Sequence, residues 1–293
     1  ERITKNDLLL KVHIKEYDKD GKKSKYSINA EAIFSGKMLS SSSWDYDLAR
    51  AIHKSMKKLE RYIPGKQKSS MVIDYKVLYR LPNNQMVVLL IALEKQVMEE
   101  RLGLVKEAGL VPQGVNIDCL ALMEAYKAIP GKTQEVAAIL DIGYSVIKLV
   151  VFQGEVPYFS RDINSSGVFN FLQLVSENTG MDLAQAQGLI FDPQEKVKEV
   201  LDAVKPNLDS LVDELRLSFE YCGRNLQRKV DCLYLSGGGS KFKVLTDFLS
   251  TSLNLKTSSL DVSSAFLIPS PAAQQKLKEC ASLIPVAVGL ALG

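Results

Sequence analysis

An apolar run, three consecutive glycines and an amphipathic segment follow one another without a break in CLYLSGGGSKFKVLTDFLSTSL, residues 232–253. The run is short and bounded by polar residues, so it reads as a buried strand. After the glycines, Phe242, Leu245, Phe248, Leu249 and Leu253 recur at helical spacing. Bare backbone between a strand and a helix has two uses. It allows a tight corner, and it lets an anion approach free N–H groups at a helix start. The triplet alone leaves both open. It is not a Walker A motif, because no lysine stands at the P-loop position. Ser240, Lys241 and Phe242 also break the GxGxxG pattern.

A second turn of this kind lies about a hundred residues earlier. In LDIGYSVIKLVVFQ, residues 140–153, an apolar strand reaches Asp141-Ile142-Gly143 and folds straight back into another. This is either an ordinary hairpin or a loop shaped to lie against a phosphate. Between the two turns runs a strong helical pattern, 208–226, with Leu208, Leu211, Val212, Leu215, Phe219, Cys222 and Leu226 on one face. Two further helices are expected after Ser166.

The first half repeats the strand–hairpin start. Two strands are predicted around a turn at Asp20-Gly21, then a polar linker at Ser40 to Ser43. Asp45 or Asp47 can cap a helix carrying Leu48, Ile52, Met56 and Leu59. A hairpin turned by Pro82-Asn83-Asn84 follows. A helix with Met98, Leu102, Val105 and Ala108 comes next, ended by Gly109 and Pro112. Asp118 can cap another helix reaching about Ala128. Strands alternating with helices, with the start occurring twice, predict an α/β protein of two related lobes.

Composition narrows the function classes. Of 293 residues, 46% are hydrophobic and 24% charged, and the net charge is +3, too small to argue for nucleic acid. The charge is uneven. Residues 1–68 hold sixteen Lys/Arg against nine Asp/Glu. This is either a solvated lysine-rich face or a surface for an anionic membrane or acidic partner. Cys119, Cys222, Cys232 and Cys280 form no CxxC pair, and the histidines are only His13 and His53, so no metal cluster is expected. His13 alternates with apolar neighbours on a strand and is given no role. No disulfide framework and no signal peptide are legible, which predicts a cytoplasmic protein. The longest apolar run, MVVLLIAL at 86–93, is too short to cross a bilayer.

The order DIG turn, amphipathic helix, strand, GGG turn resembles the second lobe of the actin-like, sugar-kinase and heat-shock-chaperone ATPases. More narrowly, the chain resembles the PilM family of type IV pilus assembly proteins, relatives of FtsA. The resemblance is carried by ERYIPGKQKSSMVIDYKVL (60–78), RLPNNQMVVLLIALEKQVMEERLGLVKEAGLVPQGVNIDCLALMEAY (80–126), DELRLSFEYC (213–222), LYLSGGGSKFKVLTDFLSTSLNL (233–255) and AVGLALG (287–293). It extends from about residue 60 to the end and is weak before that. It implies a two-lobed actin-like (ribonuclease H-like) fold with a small inserted α+β subdomain. The first lobe would take residues 1–59 and 115–134, and the insert 60–114. The core of the second lobe would take 135–165 and 230–293, with a helical subdomain at 166–229.

The resemblance also implies a nucleotide site. Asp141 would hold Mg²⁺ through a water, and Gly143, Tyr144 and Ser145 would offer N–H groups to phosphate. Glu214 would reach a ribose hydroxyl, and Gly237, Gly238 and Gly239 would line the adenosine pocket. Plainer roles stand beside these. Asp141 can simply cap a turn, Tyr144 cover the loop, Glu214 face solvent, and the glycines form a corner. Three departures weaken the nucleotide reading. The family's phosphate-loop threonine falls near Ile147, an arginine of its helix falls on Leu217, and the first phosphate loop is not found. NDLLLKVHIKEY resembles the strand just after that loop.

The function so implied is an adaptor at the inner face of the plasma membrane. It would bind the cytoplasmic tail of a PilN-like membrane partner in a groove beside the insert and link it to the pilus motor ATPases. ATP and Mg²⁺ could be held with little or no hydrolysis, homo-oligomers could form, and no nucleic acid is expected. The alternatives are an active, FtsA-like filament-forming ATPase and a type II secretion platform protein.

Overall fold

The computed structural model describes residues 9–19, 22–34, 37–60, 71–81, 85–131, 135–163, 167–193, 196–226, 229–266 and 270–293. The expected turns at Asp20-Gly21 and Pro82-Asn83-Asn84 lie outside these residues. The chain divides into two compact units, 1–115 and 116–293. The strands between 71 and 94 continue the first unit's sheet, and the helix after Asn116 belongs to the second unit.

In the first unit the strands are β1 (Leu9–Lys19), β2 (Lys22–Phe34), β3 (Lys37–Asp45), β4 (Met71–Leu81) and β5 (Gln85–Glu94). The helices are α1 (Leu48–Glu60) and α2 (Lys95–Glu107). The sheet order is β3-β2-β1-β5-β4, with β1 joined to β5 through Ile14↔Met86 and Lys15↔Gln85. Ile14, Ile28, Ala30, Ala51, Ile52, Met56 and Met86 form its core.

The predicted linker at Ser40 to Ser43 is instead part of β3. Serine is a weak strand former, and here tertiary hydrogen bonds decide. Ser43 Oγ donates to the Ala51 carbonyl at 2.6 Å, Ser41 Oγ donates to the Ser55 carbonyl at 2.9 Å, and the Ser41 and Ser55 hydroxyls meet at 2.6 Å. Alternate hydroxyls thus bind α1 where apolar side chains would ordinarily pack. Asp47 caps α1, its Oδ1 accepting the Arg50 N–H at 2.9 Å.

The second unit has strands β6 (Val136–Ile142), β7 (Ile147–Gln153), β8 (Val156–Ile163), β9 (Cys232–Ser236) and β10 (Lys256–Ser259). Its helices are α3 (Asp118–Lys127), α4 (Val168–Thr179), α5 (Leu183–Phe191), α6 (Val197–Leu226), α7 (Lys243–Leu253), α8 (Pro271–Cys280) and α9 (Pro285–Leu292). The sheet runs β10-β9-β6-β7-β8; β9 is parallel to β6 and β10, and the β6-β7-β8 meander is antiparallel. Residues of β6 alternate between two cores. Ala138, Leu140 and Ile142 pack with α4, α6 and α7, while Ala137 and Ile139 pack with α3 and α9. Both faces are covered, so the strand reads as one apolar run.

Two helix expectations shift. Helix α6 begins eleven residues before the expected 208, although Pro206 lies inside it. The buried stripe Val200, Ala203, Val204, Leu208, Leu211 runs through the proline, and this packing outweighs the lost N–H bond. Asp118 does not cap α3. The N-cap is Ile117, and Asp118 forms an ion pair with Lys148 of β7.

Helices α3 and α9 cross at a glycine. A Cβ at Gly289 would lie 1.7 Å from the Ala121 carbonyl oxygen. Gly289→Ala is therefore expected to destabilise the second unit by at least about 2 kcal/mol, since a backbone carbonyl cannot rotate aside. Urea unfolding followed by circular dichroism checks this, and an unchanged midpoint would contradict the crossing.

Candidate functional site

The two turns singled out in the sequence meet at one end of the second sheet. β6 and β9 are parallel neighbours, and Asp141 stands directly beside Ser236. The turns that follow, 143–146 and 237–241, therefore leave the sheet side by side. Ile142 pairs with Ile147 across the hairpin, and the Gly143 N–H closes the turn by donating to the Val146 carbonyl at 3.0 Å.

Glycine is required by close approach. Gly237 has φ +81°, and a Cβ there would fall 2.7 Å from the Ile142 carbonyl and 2.9 Å from Asp141 Oδ1. A Cβ at Gly239 would fall 2.2 Å from Ile142 Cγ2 and 2.9 Å from Val168 Cγ2. Gly238 has open space. The triplet is thus a corner pressed against the first turn. It is also a corner wrapped around the Asp141 carboxylate.

The helix expected to follow the glycines directly does not. Gly238–Lys241 form a 3-10 turn, and α7 starts at Lys243. The Gly237 N–H donates to the Ser282 carbonyl at 2.8 Å. Among the described residues, the Gly238 and Gly239 amides have no protein acceptor, and neither have those of Tyr144 and Ser145. Gly143 is different, because its amide is held within the hairpin.

A third segment joins this cluster. The Val168 and Phe169 amides at the start of α4 donate to the Gly143 and Tyr144 carbonyls at 3.1 and 2.9 Å. A Cβ at Gly167 would strike the Tyr144 carbonyl at 2.6 Å. Gly167 lies outside the site that the sequence predicts. Its only sequence signal is a glycine at the start of an apolar helix, a common arrangement. Tyr144 is exposed, and its ring rests 5.4 Å from that of Phe169.

Burial pushes the Asp141 carboxyl up from its ordinary range, and a hydrogen bond from Ser236 partly offsets this. No described cation stands beside it. Lys148 lies directly across the hairpin but gives its ammonium to Asp118. A half-buried carboxylate flanked by donor amides suits a hydrated divalent cation and the phosphate it carries. Ile147 is fully buried in the core, so the position offers no hydroxyl to the turn.

Glu214 stands apart from these turns. It is ion-paired with Arg161 of β8, and Arg161 Nη1 also lies 3.4 Å from Ser218 Oγ. Among the described residues, no hydrogen bond or ion pair joins Glu214 to Asp141–Ser145 or Gly237–Gly239. Leu217 is exposed on α6. Metal-binding clusters of His, Cys, Asp and Glu are absent among the described residues, and none of the described helices is long and apolar enough to cross a membrane.

These features define an actin-like protein, with a DIG turn and a glycine corner at the ends of adjacent parallel strands. The chain belongs to the type IV pilus assembly protein PilM family, whose model matches residues 7–293. Solved structures agree on the fold. A chain of a PilM–PilN type IV pilus biogenesis complex is 20% identical, with a TM-score of 0.70 over 96% of this chain and 97% of that one. The ethanolamine utilization protein EutJ from Carboxydothermus hydrogenoformans is 12% identical, with a TM-score of 0.50 over 96% and 89%. MreB5 of Spiroplasma citri bound to AMPPNP is 10% identical, with a TM-score of 0.50 over 90% and 92%. Among curated proteins, none matches the sequence.

The raised Asp141 pKa gives a signed prediction. Between the ordinary aspartate value of 3.8 and the higher folded value, the folded state holds the proton more tightly than the unfolded state. Stability from this group is therefore lost as pH rises through that window. Asp141→Asn is expected to melt higher than the parent at pH 7, and the difference should vanish below pH 3.8. Paired thermal melts across pH test this; a lower melting temperature for the variant at pH 7 would contradict it.

Proposed function

We propose that this chain is a cytoplasmic adaptor of a type IV pilus inner-membrane assembly, binding the tail of a PilN-like membrane partner. The observation that carries the proposal is the family match across nearly the whole chain. The solved PilM–PilN complex supports it by fold likeness. Its groove is assigned to the insert region, 60–114. There Leu104, Leu110 and Val111 are large, apolar and exposed, and no residue of α2 is buried. Such a surface suits an extended apolar peptide, with pockets for a few side chains and backbone hydrogen bonds for affinity.

Nucleotide binding is the second part of the proposal. ATP would supply a phosphate–magnesium group whose presence orders the surrounding turns. Asp141 would hold the metal's water, the amides of Tyr144, Ser145, Gly238 and Gly239 would face phosphate or adenosine, and Gly237 would keep the corner open. Glu214 would reach a ribose only by leaving Arg161. Hydrolysis requires a positioned water and charge stabilisation beyond what these turns hold, so little or no turnover is proposed. An FtsA-like ATPase is the competing reading.

Calorimetric titration of the chain with ATP and Mg²⁺, with Asp141→Ala alongside, tests the site. Binding is expected in the parent and at least tenfold weaker in the variant. Steady turnover well above a no-protein blank would favour the competing reading. For the groove, a synthetic partner-tail peptide is expected to bind, and Leu104→Asp/Val111→Asp to weaken it at least tenfold. Equal binding by the variant would move the groove elsewhere.

A further inference from the structure

We infer that the first unit carries a docking surface for an anionic bilayer, formed by the outer face of α1 and the end of β3. The inference rests on the proposed membrane-side placement, and it gives that placement a direct physical contact with lipid.

On α1 the buried positions are Ala51, Ile52, Ser55 and Met56, and the opposite stripe is basic. Arg50, Lys54, Lys57 and Lys58 follow the i, i+4, i+7, i+8 spacing of one helical face. Trp44 and Tyr46 stand beside this face, 54% and 56% exposed, with their rings edge-to-face at 6.0 Å. Lys25 Nζ sits 4.2 Å from the centre of the Trp44 ring and adds a fifth cation. A cavity of about 610 Å³ opens among Ser27, Ser42, Trp44, Lys54, Lys57 and Lys58.

Two nearby carboxylates offset part of this charge and leave cations in excess. Asp45 is held by Lys54 at 2.5 Å, and Asp47 is the cap of α1. Cations in excess beside an exposed Trp–Tyr pair match the membrane interface in both terms. Lysine and arginine are drawn to anionic headgroups, and Trp and Tyr settle at the boundary of the apolar region. Serine hydroxyls in the cavity can meet a phosphate ester.

An acidic peptide is the other anionic partner, and one feature disfavours it. β3 is the edge of its sheet, where an extended peptide would add as a strand. Lys58 Nζ already donates to the Ser42 carbonyl at 2.5 Å, which closes that edge as lysines commonly do.

Trp44 is the only tryptophan in the chain, so its emission reports on this surface alone. The chain is titrated with vesicles of equimolar phosphatidylglycerol and phosphatidylcholine, and with pure phosphatidylcholine. The expected result is a shift of Trp44 emission to shorter wavelength, with co-sedimentation, on the anionic vesicles only and reversed by salt. Each basic residue near such a surface is worth roughly fivefold in partitioning, so Arg50→Gln/Lys57→Gln should bind about 20- to 30-fold more weakly. Both side chains are exposed, and an unchanged melting temperature checks that the fold is kept. Trp44→Ala, followed by sedimentation, should also bind more weakly. No emission shift on anionic vesicles, equal binding to both vesicle types, or a shift on polyglutamate without one on vesicles would each overturn the inference. Titration of the same preparation with the partner-tail peptide keeps this outcome distinct from failure of the adaptor reading.

Discussion

The second unit depends on how closely three stretches of backbone approach at the end of its sheet. The turn after Ile142, the corner at Gly237–Gly239 and the start of α4 at Gly167 lie so near that a single Cβ would overlap a neighbour at three points. Ile142 is the contact shared by the two glycines of the corner. Its carbonyl limits Gly237, its side chain limits Gly239, and the turn after it supplies carbonyls to α4. At Gly167 and Gly237 the first neighbour is backbone, which cannot rotate aside as a side chain can. The packing also places Asp141 where burial disfavours its charge, beside turns some of whose amides find no acceptor among the described residues.

The first unit solves a different problem. Its edge strand has hydroxyls where a core would ordinarily have branched aliphatics, and it is held by hydrogen bonds to the carbonyls of α1. Buried hydroxyls are stable only when paired, so β3 and α1 depend on each other. The same arrangement turns the apolar stripe of α1 inward and leaves its basic stripe outside, beside the aromatic pair at the end of β3. A structural device of the fold thereby becomes the surface on which an electrostatic contact can be built.

The proposed adaptor role would draw on three separate places. One turn cluster can hold an anion and a metal's water, an exposed apolar segment can receive a peptide, and a basic face can meet lipid headgroups. The Arg161–Glu214 pair marks the limit of the nucleotide reading. The ion pair joins α6 to β8, so a sugar hydroxyl would share the Glu214 carboxylate with Arg161.

Hydrophobic period and glycine placement were legible directly. The apolar runs at 136–142 and 232–236, the DIG and GGG turns, and the stripe from Leu208 to Cys222 each specify an element by local physics, and all appear in the fold. The family was legible as well, because motif order and spacing survive where identity does not. What sequence could not decide depended on distant partners. Ser40 to Ser43 became a strand through the ladder with β2 and the carbonyls that α1 offers. Pro206 stayed inside a helix because the stripe around it is buried. Gly167 acquired a role from the carbonyl of Tyr144, and Glu214 took Arg161 as its partner across fifty-three positions. Local propensity is a preference of about 1 kcal/mol or less for most residues and about 3 kcal/mol for proline within a helix, and several buried hydrogen bonds or a long packed stripe together exceed it. Element type was therefore set by the sequence where burial and propensity agree, and by tertiary structure where they conflict.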